Sequence, residues 1–355
     1  MCIRDSVCAA FMKPLLLNFD RAKVVPYCYS TQPDDGGEGP FKEKCAWRAV
    51  HDKSDDDAAA MVMSDEIDIL IECSGLTPGK RFGVLVPRCA PLQCTWLGYP
   101  NTTGLPTVDV RIVDSLTDQI GSEWQCSERL ARIEGCFLCY TPNPWAGEAA
   151  LTPATASPDS IAPIVFGSFN RITKISDATV KTWCDVLKAV PNSRMLIKLQ
   201  TMSKQLREAA VARFTSRGVA SERIEIAPWE YDAAAHARMY ARLDIALDSF
   251  PYNGTTTTCE AMWMGVPVVV LAGDSHRSRV GVSLVNAVGM PELVAASTDD
   301  YVHIAAGLAG DRARLASIKM SLRGRMAASA LRDEVGYTRR FEILLRQLWS
   351  EHQLD

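Results

Sequence analysis

The stretch Asp244-Ile245-Ala246-Leu247-Asp248-Ser249-Phe250-Pro251-Tyr252-Asn253-Gly254-Thr255-Thr256-Thr257-Thr258-Cys259-Glu260-Ala261-Met262-Trp263-Met264-Gly265-Val266-Pro267-Val268-Val269-Val270-Leu271 decides how this chain folds. A short β-prone run, Asp244–Phe250, passes through Asn253 and Gly254 into four consecutive threonines. A helical pattern follows over Thr256–Met264 and stops at Gly265, the residue type that ends helices in a left-handed turn. The run Val268–Leu271 is apolar at every position, as expected of a parallel strand covered on both faces. Strand, helix and strand joined by short loops form the crossover that parallel pairing requires.

The same alternation extends outward on both sides. Upstream it reads Ile164–Asn170 and Asp177–Ala189, Arg194–Leu199 and Lys204–Arg217, Arg223–Ala227 and Asp232–Leu243; downstream, Ser278–Val288 follows the last strand. This predicts a doubly wound parallel α/β sheet. The first half repeats the habit less regularly, with strands expected at Ala22–Tyr29, Ile67–Cys73, Leu92–Leu97, Val108–Asp114 and Gly135–Tyr140. Tyr140–Pro163, rich in Pro, Ala and Thr and without periodicity, reads as a linker. The expected domains are therefore 1–160 and 161–355, the second closing on terminal helices that include an amphipathic Gly336–Glu351.

At 355 residues, two domains of ordinary size is the natural division. Hydrophobic residues at 47% and charged residues at 23% exclude a disordered tail, a coiled coil and a collagen-like repeat. The 38 Lys+Arg against 42 Asp+Glu leave a net charge of -4, so no basic field exists to hold a nucleic-acid backbone. No apolar run approaches the roughly 20 residues that span a bilayer, and no membrane partner is expected. The 12 cysteines are scattered through predicted strands and helices, for example Cys73, Cys94, Cys184 and Cys259, which points to reduced thiols and a cytoplasmic protein. Cys136 and Cys139 have redox-pair spacing, but no second pair or nearby histidine completes a zinc site, and no metal is expected. The opening Met1-Cys2-Ile3-Arg4-Asp5-Ser6 lacks the apolar stretch of a signal peptide and resembles a translated library adapter, so the first domain is expected to be incomplete at its start.

In a doubly wound sheet, ligands bind outside the carboxyl ends of the strands. Asn253, Gly254, Thr255, Thr256, Thr257 and Thr258 lie at such an end and open a helix, whose free N–H groups and dipole attract phosphate. A plain N-cap is the alternative, though one threonine suffices for that. Lys174, just past the first strand of the second domain, can face the same crevice and neutralise a leaving diphosphate; a solvated loop lysine is the competing reading. Glu260, one turn into the helix, can take ribose hydroxyls or simply complement the helix dipole. His236 and His276, near predicted strand ends, can contact a base or sugar or merely satisfy local hydrogen bonds. In the first domain, Tyr99, Pro100, Thr102, Thr103 and Gly104 form a turn after a strand and can line the opposite wall of a cleft, or be only a loop. Asp55-Asp56-Asp57 reads as a solvated helix face rather than a metal motif. Neither a dinucleotide fingerprint nor a P-loop is present.

These blocks resemble the catalytic region of the O-linked N-acetylglucosamine transferase / SPINDLY family. The resemblance covers about Phe11 to Trp349 and is carried by Thr95–Pro106, Phe166–Asn170, Asp248–Thr258 and Met264–Pro267, with wording nearer the SPINDLY branch. It implies a GT-B type α/β fold, two Rossmann-like doubly wound domains facing a cleft, and an inverting, metal-independent transfer to Ser/Thr of proteins. No cofactor is implied; UDP-GlcNAc or GDP-fucose is the donor substrate. By motif, Lys174 would contact the donor diphosphate, Thr256 and Thr257 the phosphates, Glu260 the ribose and His236 the base. Arg171 and Thr255 stand where animal members have glutamine and histidine, both close to the expected donor. Tetratricopeptide repeats are expected upstream in the full-length protein. Transfer of GlcNAc is the leading expectation and O-fucosylation from GDP-fucose the nearest alternative. A nucleotide-sugar epimerase or hydrolase, or a non-catalytic nucleotide-sugar-binding module, are the readings from other classes.

Overall fold

The structure, a computed structural model, describes residues 8–33, 39–77, 81–143, 161–199, 203–230 and 232–354. Most of the expected linker, residues 144–160, lies outside them, as do Met1–Ser6. Contacts divide the chain into two units, Met1–Thr141 with Ala330–Asp355, and Pro142–Ser329.

The first unit begins with a helix, Ala9–Asn18, followed by strand β1 (Tyr27–Ser30), a single helical turn at Gly39–Lys42, and β2 (Ala46–Ala49). Helix Asp55–Ser64 then leads to β3 (Ile69–Glu72), β4 (Leu92–Thr95), β5 (Val110–Val113) and β6 (Arg129–Arg132). All pairings are parallel: β1 with β2, and a four-stranded sheet in the order β3-β4-β5-β6. Asp55, Asp56 and Asp57 occupy the first turn of helix Asp55–Ser64, which Ser54 caps by accepting from the Asp57 N–H. The acidic triplet therefore complements the helix dipole.

Two sequence expectations give way in this unit. Gly135–Tyr140 is not a strand, because its polar groups are taken by side chains and a distant loop. The Phe137 carbonyl accepts from Trp96 Nε1 (3.0 Å) and from the Tyr337 hydroxyl (2.7 Å), and the Tyr140 N–H reaches the Leu331 carbonyl (2.8 Å). The terminal helix, Glu334–His352, groups with this unit rather than with the second domain. Its buried face, including Tyr337 and Phe341, packs here, with the Phe341 ring 5.2 Å from Trp96. Burying such an aromatic contributes about 1.5–3 kcal/mol. Amphipathicity announces an apolar face without saying which sheet will cover it.

The second unit follows the expected alternation closely. Strands β7 (Ile164–Ser168), β8 (Ser193–Lys198), β9 (Ile224–Ala227), β10 (Ile245–Leu247), β11 (Val268–Leu271) and β12 (Val294–Ala295) form one parallel sheet, ordered β12-β11-β10-β7-β8-β9. Helices Asp177–Ala189, Lys204–Thr215, Ala233–Tyr240, Thr256–Trp263 and Val280–Ala287 supply the crossovers. Counted from β7, this is the order 3-2-1-4-5-6, with its reversal between β7 and β10. Two buried contacts fix the strands at that reversal. The Tyr301 hydroxyl, in helix Thr298–Gly310, donates to the Asp248 carbonyl at 3.0 Å. Lys319 Nζ donates to the Leu243 carbonyl (2.7 Å) and to Asp244 (3.1 Å), while Asp244 accepts from the Val165 N–H (2.9 Å).

Candidate functional site

The loops leaving β7 and β10 meet where the strand order reverses. Asn170, two residues past β7, donates from Nδ2 to Asp248 Oδ1 (2.9 Å) and to Ser249 Oγ (3.1 Å), both just past β10. Its Oδ1 accepts from the Thr257 hydroxyl (2.6 Å), so one buried amide ties both loops to the threonine helix. Asp248 is 2% exposed, and its Oδ1 also accepts from the Gly254 N–H (2.7 Å) and the Ser249 N–H (2.9 Å). Burial pushes this carboxyl up to about 6, against the lowering pull of the Gly254 hydrogen bond and the Lys174 charge. Its second oxygen is buried without a hydrogen-bond partner. A buried acid of this kind persists beside a cation.

Lys174 is that cation. It ends the short 3-10 turn Ile172–Lys174, and its Nζ donates to the Asn253 carbonyl (2.8 Å) while lying 4.0 Å from the Tyr252 ring centroid. Burial lowers its ammonium to about 8, with the Asp248 charge raising it and the Arg171 charge lowering it further. It therefore remains protonated at neutral pH, held at the loop that enters the threonine helix. Arg171 itself is exposed. Asn253 is buried, its Nδ2 bonded to the Ser249 carbonyl (2.9 Å) and its Oδ1 accepting from the Gly281 N–H (3.2 Å). A side chain on Gly254 would meet the hydroxyls of Thr257 and Thr258 at 2.5 and 2.7 Å, so only glycine lets the loop approach the helix this closely.

The threonine run is not spent on capping. Ser176, Ser203, Asp232, Ser297 and Asp311 each cap a helix of this unit by accepting from a backbone N–H, whereas Thr255, at the same place before Thr256–Trp263, makes no such bond. The Thr256 hydroxyl is buried without a partner. Thr257 has given its hydroxyl to Asn170, and Thr258 is buried. This helix start thus leaves its first N–H groups uncapped and one buried hydroxyl without a partner, and the loop that enters it holds a lysine ammonium at the Asn253 carbonyl, a set of groups of the kind that binds anions.

Glu260 and His236, singled out separately in the sequence, stand together, and two residues it did not single out complete the group. Lys198, the last residue of β8 and 3% exposed, lies 2.6 Å from His236 Nδ1. An ammonium only donates, so Nδ1 accepts and Nε2 carries the proton toward Glu260 Oε2 at 3.3 Å. Tyr240 donates its hydroxyl to the same oxygen (2.9 Å), and its ring lies 4.7 Å from that of Phe169. Burial lowers Lys198 to about 8, with the Glu260 and Glu230 charges opposing. Trp229 flanks the ammonium at 4.3 Å. His276 is buried and opens the 3-10 turn His276–Ser278, whose Arg277 carbonyl accepts from the Asn253 N–H (2.9 Å). Three of the missed residues share one signal: Asn170, Lys198 and Asp248 are polar residues at or just past the carboxyl ends of strands, whereas Tyr240 ends a helix.

The residues named in the first domain follow the carboxyl end of β4. Thr102 Oγ1 donates to Glu128 (2.8 Å), and both the Thr103 N–H (2.6 Å) and the Thr103 hydroxyl donate to the other Glu128 oxygen. Burial pushes the Glu128 carboxyl up, but these hydrogen bonds outweigh it and hold the group below the ordinary glutamate range. Gly104 takes a φ of 69°, and Tyr99 packs so closely on Gly75 that a side chain there would overlap it. Thr102 and Thr103 therefore hold their own loop, while Tyr99 and Pro100 are half-buried.

A protein-family model for glycosyl transferase family 41 matches residues 8–141 and 156–341. The probable UDP-N-acetylglucosamine–peptide N-acetylglucosaminyltransferase SPINDLY of Arabidopsis thaliana is 40% identical over 341 residues, covering 94% of this chain and 37% of the relative. The SPINDLY protein of Eustoma exaltatum subsp. russellianum is 38% identical over 346 residues, covering 96% of this chain and 37% of the relative. Among solved structures, a mutant O-GlcNAc transferase of Thermobaculum terrenum superposes with a TM-score of 0.88 at 30% identity, covering 99% of this chain and 66% of that chain. The two parallel α/β units are thus of GT-B type. The chain spans little more than a third of the length of these curated relatives.

Proposed function

The chain belongs to glycosyl transferase family 41, and we propose that it is the catalytic region of a protein O-glycosyltransferase acting on Ser/Thr of protein acceptors, with GlcNAc from UDP-GlcNAc as the sugar transferred. The observation that supports this reading is the uncapped start of helix Thr256–Trp263, with the unpartnered Thr256 hydroxyl in its first turn and the Lys174 ammonium bonded to Asn253 in the loop that enters it. The helix N–H groups and Thr256 receive the donor diphosphate, and Lys174 stabilises the charge that develops on the leaving nucleotide. These groups supply the positive charge that other transferases take from a divalent ion, so the reaction is written as metal-independent. Glu260, set by Tyr240 and His236, faces the ribose hydroxyls, and His236 lies by the base. Direct attack of the acceptor hydroxyl on the anomeric carbon gives inversion. The protein acts in the cytoplasm, where its free cysteines, most of them buried, stay reduced, and no described helix is long and apolar enough to cross a membrane. Tetratricopeptide repeats upstream carry the acceptor selection.

The test is calorimetric titration of the purified chain with UDP, GDP, UDP-GlcNAc and GDP-fucose. Binding of the uridine pair alone, weakened by Lys174→Ala and Thr256→Val, is the expected result. Selective binding of the guanosine pair would replace GlcNAc by fucose, which Arg171 and Thr255 beside the donor would then explain. Donor turnover without any protein acceptor would overturn the transferase reading.

A further inference from the structure

A lysine is buried in the second unit without a carboxylate to hold it there. Lys198 closes β8, in which Met195, Leu196 and Ile197 are buried with it, and it sits opposite Ala227 of β9. Burial disfavours an ammonium. Among the described residues no carboxylate lies within ion-pair distance of Nζ, and the Glu260 and Glu230 charges act on it only from farther away. Its close neighbours are the ring of Phe169 at 5.4 Å, the ring of Trp229 at 4.3 Å, and one acceptor, His236 Nδ1, at 2.6 Å. An apolar side chain would fill the space between the rings without the desolvation cost. What the ammonium adds is the hydrogen bond to the imidazole.

That bond is passed on through the ring. A neutral imidazole carries one N–H, and the partner at one nitrogen fixes the proton on the other. With Lys198 donating to Nδ1, the proton sits on Nε2 and points at Glu260 Oε2, 3.3 Å away. Tyr240 donates to the same Oε2 at 2.9 Å. The opposite tautomer would set two donors against each other at Lys198 and turn the Nε2 lone pair on the carboxylate. Two fixed donors thus hold Oε2, while Oε1 accepts from none of the described residues. Both side chains reach solvent, His236 at 20% and Glu260 at 26% exposure, whereas Lys198 is 3% exposed.

We propose that Lys198 is a positioning residue for ribose recognition: by fixing the Nε2–H tautomer of His236 it clamps Oε2 of Glu260 and leaves Oε1 aimed outward to accept the vicinal hydroxyls of the donor nucleoside. Lys198 itself touches no ligand; it acts at two removes, as a supporting shell does in a preorganised site. The role rests on the reading of this crevice as a nucleotide-sugar site, and it holds for either base.

Two measurements test it. The first is nitrogen-15 NMR of the chain labelled at its five histidines, with the His236 signals assigned by their loss in His236→Gln. The free protein should show His236 with an unprotonated Nδ1 and a protonated Nε2. Lys198→Met should abolish that pattern, and Lys198→Arg, which keeps a donor, should restore it. The second is calorimetric titration with UDP, GDP and their 2′,3′-dideoxy analogues. The parent should bind the ribose form of its nucleotide about tenfold more tightly than the dideoxy form. Lys198→Met should erase that preference by weakening the ribose form alone, so the unchanged dideoxy affinity also shows that the variant is folded. A parent His236 protonated on Nδ1, a tautomer unmoved by Lys198→Met, or equal weakening of both nucleotide forms would overturn the proposal. A parent that binds no nucleotide would instead strike the donor reading, and the ribose role with it, while the spectrum still reports the Lys198–His236 link.

Discussion

Replacing Lys174 by alanine is the sharpest test of the proposed donor site. The ammonium is held by the Asn253 carbonyl at 2.8 Å and the Tyr252 ring at 4.0 Å, so its position is set before any donor arrives. A unit charge about 4 Å from a developing phosphate charge, at an effective dielectric near 20, is worth about 4 kcal/mol. That corresponds to roughly a thousandfold in rate, within reach of the 10²–10³ measured when one stabilising donor is removed from other active sites. The structural loss is one hydrogen bond, one cation–π contact and the charge that supports buried Asp248, together about 2–4 kcal/mol, so the melting temperature should fall while the fold persists. Transfer of radiolabelled sugar to an acceptor peptide by the full gene product should therefore fall by two to three orders of magnitude in kcat, with a smaller loss in donor Kd and an unchanged circular dichroism spectrum. A pH series adds a second readout. Burial places the ammonium at about 8, and the protonated form is the competent one. Donor affinity should be full below that value and decline as pH rises through it, while Lys174→Arg should flatten the decline. A Lys174→Ala protein that keeps kcat/KM within threefold of the parent would remove this residue from the mechanism.

Four further variants have defined outcomes. Thr256→Val removes a hydroxyl that has no partner in the protein, so thermal stability should hold while donor affinity measured by calorimetry drops about tenfold or more; Thr257→Val should instead lower stability by about 1 kcal/mol, because that hydroxyl is bonded to Asn170. Glu128→Ala strips the acceptors of Thr102 and Thr103 and should destabilise the first unit by about 2–3 kcal/mol in denaturant titration. Because the Glu128 carboxyl is held below its ordinary range, its contribution should be full above the unfolded value near 4.3 and vanish as pH falls through the folded value. Lys319→Met leaves Asp244 buried without its cation and should cost about 3–5 kcal/mol, most of it recovered on adding Asp244→Asn; equal stability of the single and double variants would refute the pairing.

Sequence reading succeeded where the information is local. The alternation of apolar runs with helical periods from Ile164 to Val288 set the α/β class, and the passage from Leu247 through Gly254 into four threonines marked a strand, a loop and a helix start. Neighbouring residues encode such patterns, because strand and helix periods are properties of short segments. It failed where a segment's hydrogen bonds are satisfied from far away: Gly135–Tyr140 has strand composition but spends its peptide groups on Trp96, Tyr337 and Leu331. The terminal helix likewise carries a plain apolar face, and only packing on Trp96 assigns it to the first unit. The proposed donor site divides in the same way. That Lys174 and the threonine run lie at strand ends was legible; that Thr255 leaves its helix uncapped, that Thr257 is already engaged, and that Thr256 is the hydroxyl left over was not. Those outcomes depend on Asn170 reaching Asp248 and Thr257, 78 and 87 residues away in sequence. A polar group's role is decided by which partner arrives first within hydrogen-bond distance, and that is a property of the folded chain.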